Sequence, residues 1–458
     1  MQAMSLPHAV GFALERLQSA GVTAYLVGGC VRDHLRGVTP HDYDIATEAM
    51  PQEVLRIFLD CRTFSTGLQH GTVTVLAEGV PIEITTFRVD GDYHDARHPD
   101  RVTFTRSFRE DAARRDFTVN AMGYSPLEGV VDFYGGQKDL ENKIIRTVGD
   151  AELRFREDAL RILRALRFSS VLDFEIEAQT ARAAIELAPS LRMVSVERIY
   201  EELCKLLCGP RVFRVCTELR AVLAAVVPEL ADCFDLDQKN PHHVYDVYTH
   251  ILHTVEAVAP DKILRLAAFF HDIGKPRCRS VDDQGIGHFY GHASVSADMA
   301  EKILLSLHAE RETICAVKEL VKHHGDPLPC DNYGLRKMIS RKGEKYLFRM
   351  LALKRADTAA LSASCRARLA EYDRIEERAR TLLQEAPCFS ARDLAIGGED
   401  IMALGVPKGP TVGEVLTHLL DLVMAENLKN EREALLLESK RFFAEKNGGA
   451  SPKKPARY

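Results

Sequence analysis

The chain has 458 residues, a net charge of −6, 46% hydrophobic residues and 28% charged residues. This composition describes a globular protein too long for one ordinary core, so two to four domains are expected. It excludes a uniformly basic nucleic-acid binder, though a local Arg/Lys stripe suffices for phosphate contacts. No apolar run approaches the ~20 residues needed to span a bilayer, so no membrane partner is expected. The N-terminus, MQAMSLPHAVGFALERLQ, has neither a basic leader region nor a small-residue cleavage site, and is not read as a secretory signal. The 11 cysteines are scattered, with no C-x-x-C pair. That pattern fits a reducing cytoplasm better than a disulfide framework. Cys204 and Cys208, spaced as helical neighbours, read as core.

In chain order, residues 1–142 mix strand and helix signals. AYLVGG reads as a buried strand ending in a Gly-Gly turn, and CVRDHLRG as a short helix. Gly28 and Gly29 lack side chains, so backbone there can approach a triphosphate closely; Arg32 stands beside them. HDYDIAT follows, carrying Asp42 and Asp44. Alternate residues of an extended segment share a face, so the two carboxylates point one way and repel unless a cation lies between them. Hard oxygen ligands of this kind suit Mg²⁺, which is commonly held by one or two carboxylates plus substrate phosphates. Taken alone, a D-x-D pair is a solvated turn; its place behind the Gly-Gly turn points to chemistry.

The β-branched runs GTVTVLA, PIEITTFRV and RVTFT continue the α+β pattern. In IEITTFR, period two places Glu83, Thr85 and Phe87 on one face, offering Glu83 as a third carboxylate beside Asp42 and Asp44. Two metals held between such carboxylates lower the pKa of an attacking hydroxyl and stabilise charge on both oxygens of an in-line displacement. RRDFTVNAMGY then supplies Arg114 and Arg115, fixed cations suited to forked phosphate contacts. Asp116 lies beside them, and Asn120 offers a donor and an acceptor to a ribose. VDFYGGQKDL gives a second Gly-Gly turn, adequately read as a tight turn.

From about Lys143 strand signals nearly vanish. The run RFREDALRILRALRF is expected to be one helix with a basic face, including Arg164 and Arg167. Glu157, Asp158 and Arg161 fall at i, i+1 and i+4, so Arg161 stands over Glu157. A carboxylate accepts from an exocyclic amine and a guanidinium donates to ring nitrogen or carbonyl oxygen, so the group can read a base edge. Helices continue through 175–230, with breaks near Pro189, Gly209-Pro210 and Pro228. Ala231–His243 is a polar connector and a candidate boundary.

Taken in order, GGxVRDxLxG, HDYDIAT, RRDFTxNAM, DxxGG and REDALRxLRAxRF resemble the bacterial class II tRNA nucleotidyltransferases. These are the CCA-adding enzymes of the polymerase-β-like superfamily, relatives of bacterial poly(A) polymerase. The similarity covers at least residues 20–230. It implies an α+β fold: a nucleotidyltransferase head with a mixed β-sheet (1–142), then a helical neck (143–232). It also implies that Asp42 and Asp44 bind the catalytic metals and that Arg114 to Asn120 contact triphosphate and ribose. Glu157, Asp158 and Arg161 would form an amino-acid template selecting CTP or ATP. Ser65–Val75 lacks the Gly-Arg-Arg/Lys-Phe stretch of the poly(A) polymerase subgroup. Arg88–Phe104 resembles the mobile loop of full CCA-adding members.

Residues 244–375 are helical and histidine-rich. His250, His271-Asp272, His292, His323-His324 and Asp357 follow the order H…HD…H…H…D, and such ligands suit Mn²⁺, Ni²⁺ or another divalent transition metal. The core LAAFFHDIGKP reads as an apolar helix carrying His271 and Asp272, stopped by Gly274 and Pro276. An apolar helix does not end on an unpaired His-Asp without a partner or a cation. The set resembles the HD superfamily of metal-dependent phosphohydrolases. By that match His250, His271, Asp272 and Asp357 are the primary ligands, His292 and His323 complete a second site, and which of His323 and His324 faces inward stays open. Residues 385–445 are expected to form a helical, tRNA-binding tail with a loop at Ile396–Pro410 bearing Lys408, and 446–458 a disordered basic tail.

The combined expectation is a cytoplasmic, Mg²⁺-dependent enzyme adding CCA to tRNA 3′ ends from CTP and ATP, with phosphatase or phosphodiesterase activity in the HD domain. Arg164 and Arg167 are expected at the RNA as well as the nucleotide. The alternatives are a CC- or A-adding partial enzyme, a poly(A) polymerase, and an HD phosphohydrolase whose head is a nonenzymatic RNA-binding module. Oligomeric state is not legible.

Overall fold

The computed structural model describes residues 4–40, 42–64, 67–68, 71–91, 102–385 and 389–448. The chain divides into two compact units. The first comprises 1–236 with 259–266 and 301–314; the second comprises 237–258, 267–300 and 315–458.

The first unit is built on strands β1 (Ala24–Val27), β2 (Asp44–Thr47), β3 (Arg62–Phe64), β4 (Thr72–Ala77) and β5 (Val80–Thr86). A hairpin of β6 (Arg88–Asp90) and β7 (Val102–Phe104) follows, then β8 (Gly123–Ser125) and β9 (Gly129–Val131). Seven strands form one sheet in the order β3-β4-β5-β2-β1-β8-β9. Within this sheet, among the described residues, only β2 and β5 pair in parallel, so the sheet is mixed.

Alternation decides what each face carries. Leu26, Ile45, Val73, Val75, Ile82 and Ile84 point to one side. There they pack on helix α1 (His8–Ser19), which the chain makes between β1 and its own start, and on α3 (Pro51–Ile57), the helix after β2. Between these two, α2 (Gly29–Leu35) follows β1 directly. Tyr25, Val27, Ala46 and Phe87 point the other way and meet Phe108 and Ala112 of α4 (Phe108–Ala113). Phe108 lies against the Tyr25 and Phe87 rings at 4.7 and 5.6 Å. Ser107 caps α4 by accepting from Glu110 N.

The second Gly-Gly turn is a seat for its neighbour. Asp132 accepts from the backbone N–H groups of Tyr134, Gly136 and Gln137. This fixes the start of α5 (Gly136–Glu141). A Cβ on Gly136 would lie 2.3 Å from the Thr118 carbonyl oxygen, so the turn Thr118–Asn120 packs directly on it. Phe117, Val119, Ile145, Ala165 and Phe168 then share a core that ties this turn to the helices beyond.

The expected single helix over 154–168 is two. Helix α6 (Ala151–Glu157) is capped by Asp150 and ends where Asp158 turns extended, φ −141°. Helix α7 (Leu160–Leu172) starts after it, and the Asp158 carboxylate accepts from Leu160 N at 3.1 Å. An aspartate that bonds the backbone ahead of it competes with helix continuation.

The second unit is mostly helical. Its segments include Val247–Ala257, the part of His292–Ser306 up to residue 300, the part of Arg311–His323 from residue 315, Asn332–Lys342, Glu344–Ala359 and Leu369–Gln384. In the tail, Gly398–Ala403 forms a short helix within the stretch expected to be loop, and Pro410–Met424 and Arg432–Gly448 follow. The last helix takes in the first residues of the expected disordered tail; 449–458 lie outside the described residues. The mobile-loop expectation for 88–104 falls largely on 92–101, also outside them, while its two ends pair as Arg88↔Phe104. The Ser65–Val75 comparison is likewise only partly described.

Candidate active site

Asp44 opens β2, and its register partner on the parallel strand is Glu83. Neighbouring strands lie about 4.8 Å apart, so these two carboxylates leave the same sheet face side by side. Burial, then the charge of Glu83 and, more weakly, of Asp42, raise the Asp44 carboxyl above its ordinary value, against the pull of Arg115. Asp42 sits two residues ahead of β2's start, and both it and Asp44 keep solvent-exposed surface. Where desolvation and neighbouring like charges together raise an acid's pKa, a divalent cation fits: it replaces the proton and removes the repulsion.

Asp44 looks into a cavity of about 500 Å³ lined by Gly28, Gly29, Arg32, Arg114, Arg115, Asp116, Asn120, Asp158, Arg161, Arg164, Arg167, Phe168 and Arg198. Gly28 has φ +77°, and a Cβ there would also come within 3.5 Å of Arg115 Nη1. A side chain is therefore strained at this position and would fill the approach to the arginines.

Each cation of the cavity is held by a named acceptor. Asp111, fully buried within α4, accepts from Arg114 Nε at 3.0 Å and Arg115 Nη2 at 3.1 Å. The i+3 and i+4 spacing within REDAARRD is a sequence signal for this anchor. Arg32 donates to Asn120 Oδ1 at 2.7 Å, and Asn120 donates to Asp116 Oδ1 at 3.2 Å. Arg164 grips Asp116 Oδ2 with Nε and Nη2 at 2.9 and 2.6 Å. Burial opposes ionisation of Asp116, but the Arg164 guanidinium outweighs it and holds the carboxyl down at about 2. Asp116 and Asn120 are thus the inner wiring that fixes Arg164 and Arg32. Arg164 and Arg167 also face Glu202, at 3.7 and 3.1 Å, and Arg167 lies 3.9 Å over the Phe168 ring.

Arg161 does stand over Glu157, at 2.6 Å. It also donates to the carbonyls of Arg154 (3.2 Å) and Arg114 (2.9 Å). Glu157 is further engaged by Arg154 and is not among the residues lining the cavity, so it braces Arg161 while Asp158 and Arg161 face the space. The sequence alone does not single out Phe168, Arg198, Asp111 or Glu202 for this site. Arg198 and Glu202 lie on the helix Val196–Leu207, and nothing local announces that it borders the cavity.

In the second unit His271 and Asp272 fall in the turn after the helix Lys262–Phe270, and Pro276 sits inside the next one, Lys275–Cys278, where a first-turn proline is tolerated. His250 Nε2 lies 3.0 Å from Asp357 Oδ1 and 3.4 Å from Asp272 Oδ2; His271 Nε2 is 3.2 Å from Asp272 Oδ2. Across Asp272, its Oδ1 faces His292 Nε2 at 3.3 Å and His324 Nε2 at 3.7 Å. His324, not His323, faces inward: His323 turns out to Asp326 at 2.7 Å.

Three imidazoles are pre-set as ligands. The Nδ1 atoms of His271, His292 and His324 face the carbonyls of Ala268, Phe289 and Val321 at 2.7–2.8 Å, so each Nδ1–H donates there and the neutral ring presents Nε2 as a lone pair. Burial pushes His324 down to about 4, keeping it neutral. Burial also opposes ionisation of Asp357, yet His250 beside it holds it low. Asp272 Oδ1 is buried without a hydrogen-bond partner. Nε2 pairs 3.3 Å apart lie between the roughly 3.0 and 3.4 Å edges of octahedral and tetrahedral shells with ~2.1 Å bonds. The residues fit a divalent metal, with Asp272 shared between two groups of ligands. Lys275, 2.6 Å from Asp272 Oδ2 and 2.8 Å from Gln238, was missed as a member of this cluster. Lys408 is exposed in the tail.

Paired carboxylates on neighbouring strands and a cavity of anchored arginines define a nucleotidyltransferase head. Residues 24–146 match the family of the poly A polymerase head domain, and 282–438 that of tRNA nucleotidyltransferase domain 2. The CCA-adding enzyme of Geobacillus kaustophilus is 34% identical over 449 residues, covering 95% of this chain and 97% of that one. That of Leuconostoc citreum is 34% identical over 92% of this chain and 93% of its own. The Leuconostoc mesenteroides enzyme is 53% identical over 196 residues, 43% of this chain and about half (48%) of that relative. The Bacillus stearothermophilus CCA-adding enzyme, solved with CTP, superimposes with a TM-score of 0.71 at 28% identity over 97% of this chain and 100% of its own. The chain belongs to the CCA-adding enzymes, which are nucleotidyltransferases.

Proposed function

We propose that this chain adds C, C and A in turn to the 3′ end of tRNA from CTP and ATP, releasing pyrophosphate, in the cytoplasm and with Mg²⁺. The observation that carries this reading is the one cavity onto which Asp44, the Gly28-Gly29 turn, the anchored arginines and the Asp158–Arg161 wall all open. Asp42 and Asp44, with Glu83 beside them, are the groups that would hold Mg²⁺. When bound, it would acidify the RNA 3′ hydroxyl and neutralise charge developing on the phosphates. Arg114 and Arg115 take the triphosphate, tied down by Asp111 so that no reorganisation is needed as charge builds. Arg32, through Asn120, and Arg164, through Asp116, stand at the sugar and the RNA end. Asp158 accepts from the amine shared by cytosine and adenine, and Arg161 donates to the ring edge; uracil and guanine present a carbonyl in place of that amine. The acceptor hydroxyl comes from RNA, so no protein nucleophile is required. The test is tRNA lacking CCA, incubated with CTP, ATP or both, and sequencing of the ends. CC from CTP, then a single A once ATP is added, supports the reading. Arrest at CC or long A tails would replace it with a partial enzyme or a poly(A) polymerase.

A second activity is supported by the histidine–aspartate cluster. Its residues would hold one or two divalent transition metals, with Asp272 shared, and the chemistry supplied is metal-assisted hydrolysis of a phosphoester. An H271A/D272A variant that keeps all metal-dependent phosphatase and phosphodiesterase activity would sink this second reading.

A further inference from the structure

Arg198 lines the cavity, and the proposed reaction gives it no role. Its guanidinium donates to Asp158 from Nη2 to Oδ2 at 2.8 Å and from Nη1 to Oδ1 at 3.3 Å. Both residues line the cavity. Its own helix does not explain it: it lies in the first turn of Val196–Leu207, where a cation opposes the helix dipole. One turn on, Glu202 of the same helix faces Arg164 and Arg167. This helix therefore supplies counter-charges to the cavity wall.

Asp158 needs such support. It sits at the break between α6 and α7, outside either helix, with extended backbone. Leu160 N binds Oδ1 from one side and Arg198 binds both oxygens from the other. A carboxylate has about four lone-pair sites, and three are thereby used. What remains is an acceptor on Oδ2, held in one place.

We infer that Arg198 is a positioning residue for base selection: it fixes Asp158 as an immobile, acceptor-only group, so that a base with an exocyclic amine is taken and one with a carbonyl there is refused. The inference rests on the reading that Asp158 and Arg161 contact the base. A carboxylate free to rotate, or to admit a bridging water, tolerates a carbonyl opposite it and discriminates less.

The test measures kcat and KM for CTP, ATP, UTP and GTP on matched tRNA acceptors, with melting curves for every variant. R198A is expected to lower the kcat/KM ratio of CTP over UTP by about tenfold or more, the scale of one charge-assisted hydrogen bond. The change should fall mainly on KM for the correct nucleotides. R198K, which keeps a charge but loses the fork, should restore part of the ratio. In a D158A background, adding R198A should leave the ratio unmoved. An R198A effect equal on all four nucleotides would overturn the inference, assigning Arg198 to phosphate or to the fold. Unaltered selection in D158A would overturn the base-reading role itself. If R198A does not fold, the R198K and R198Q ratios decide in the same way.

Discussion

Asp44 shows how one residue carries both a cost and a use. Its carboxyl is raised by burial, Glu83 and Asp42, so protonating it favours the folded state at acid pH, and that contribution is lost as pH rises through the raised value. At neutral pH without divalent cations the like charges simply repel. E83Q and D42N should therefore raise the Tm of cation-free protein by about 1–3 °C, and added Mg²⁺ should erase the difference. D42A/D44A should lower nucleotide incorporation by about a thousandfold or more while the fold persists; unchanged incorporation would revive the reading of the head as a nonenzymatic RNA-binding module. Asp116 has the opposite sign. Held at about 2 by Arg164, it contributes stability above its ordinary value of 3.8, lost as pH falls toward 2. Replacing Arg164 with Met leaves that buried carboxylate without its main partner, and should cost roughly 3 kcal/mol at pH 7, measured by urea denaturation.

Among the elements, two junctions matter more than any helix. The α6–α7 break was invisible because EDALR carries neither Gly nor Pro and keeps a helical period. Only the Asp158 side chain, bonding Leu160 N ahead of it, ends α6 there. The second Gly-Gly turn was legible as a turn, but not as the seat of Thr118–Asn120. A Cβ at Gly136 meets backbone at 2.3 Å, which cannot swing aside. G136A should thus destabilise by about 1–3 kcal/mol and weaken nucleotide binding, because Asn120 and Arg32 shift with the turn. Wild-type melting with wild-type KM would refute this.

Across the whole molecule, the two sets of chemical groups belong to separate compact units: the arginine cavity to the first and the histidine cluster to the second. H271A/D272A should abolish binding of Mn²⁺ or Ni²⁺ at this cluster, read by calorimetry, and leave the rate of nucleotide addition within about twofold. No helix among the described residues is long and apolar enough to cross a membrane.

The sequence by itself determined the mixed head, because alternating strands and their turn residues are local, and it determined the family, because ordered motifs survive in one dimension. It also put chemistry-bearing residues on the right segments, since Gly, Asp and Arg at short spacing have few other uses. Tertiary structure alone decided which acceptor holds each cation, that Glu157 braces Arg161 instead of lining the cavity, that Arg198 reaches Asp158 from forty residues away, and that His324 faces inward. Those outcomes depend on which faces meet when helices pack, and side-chain charge carries no record of that until the core has closed.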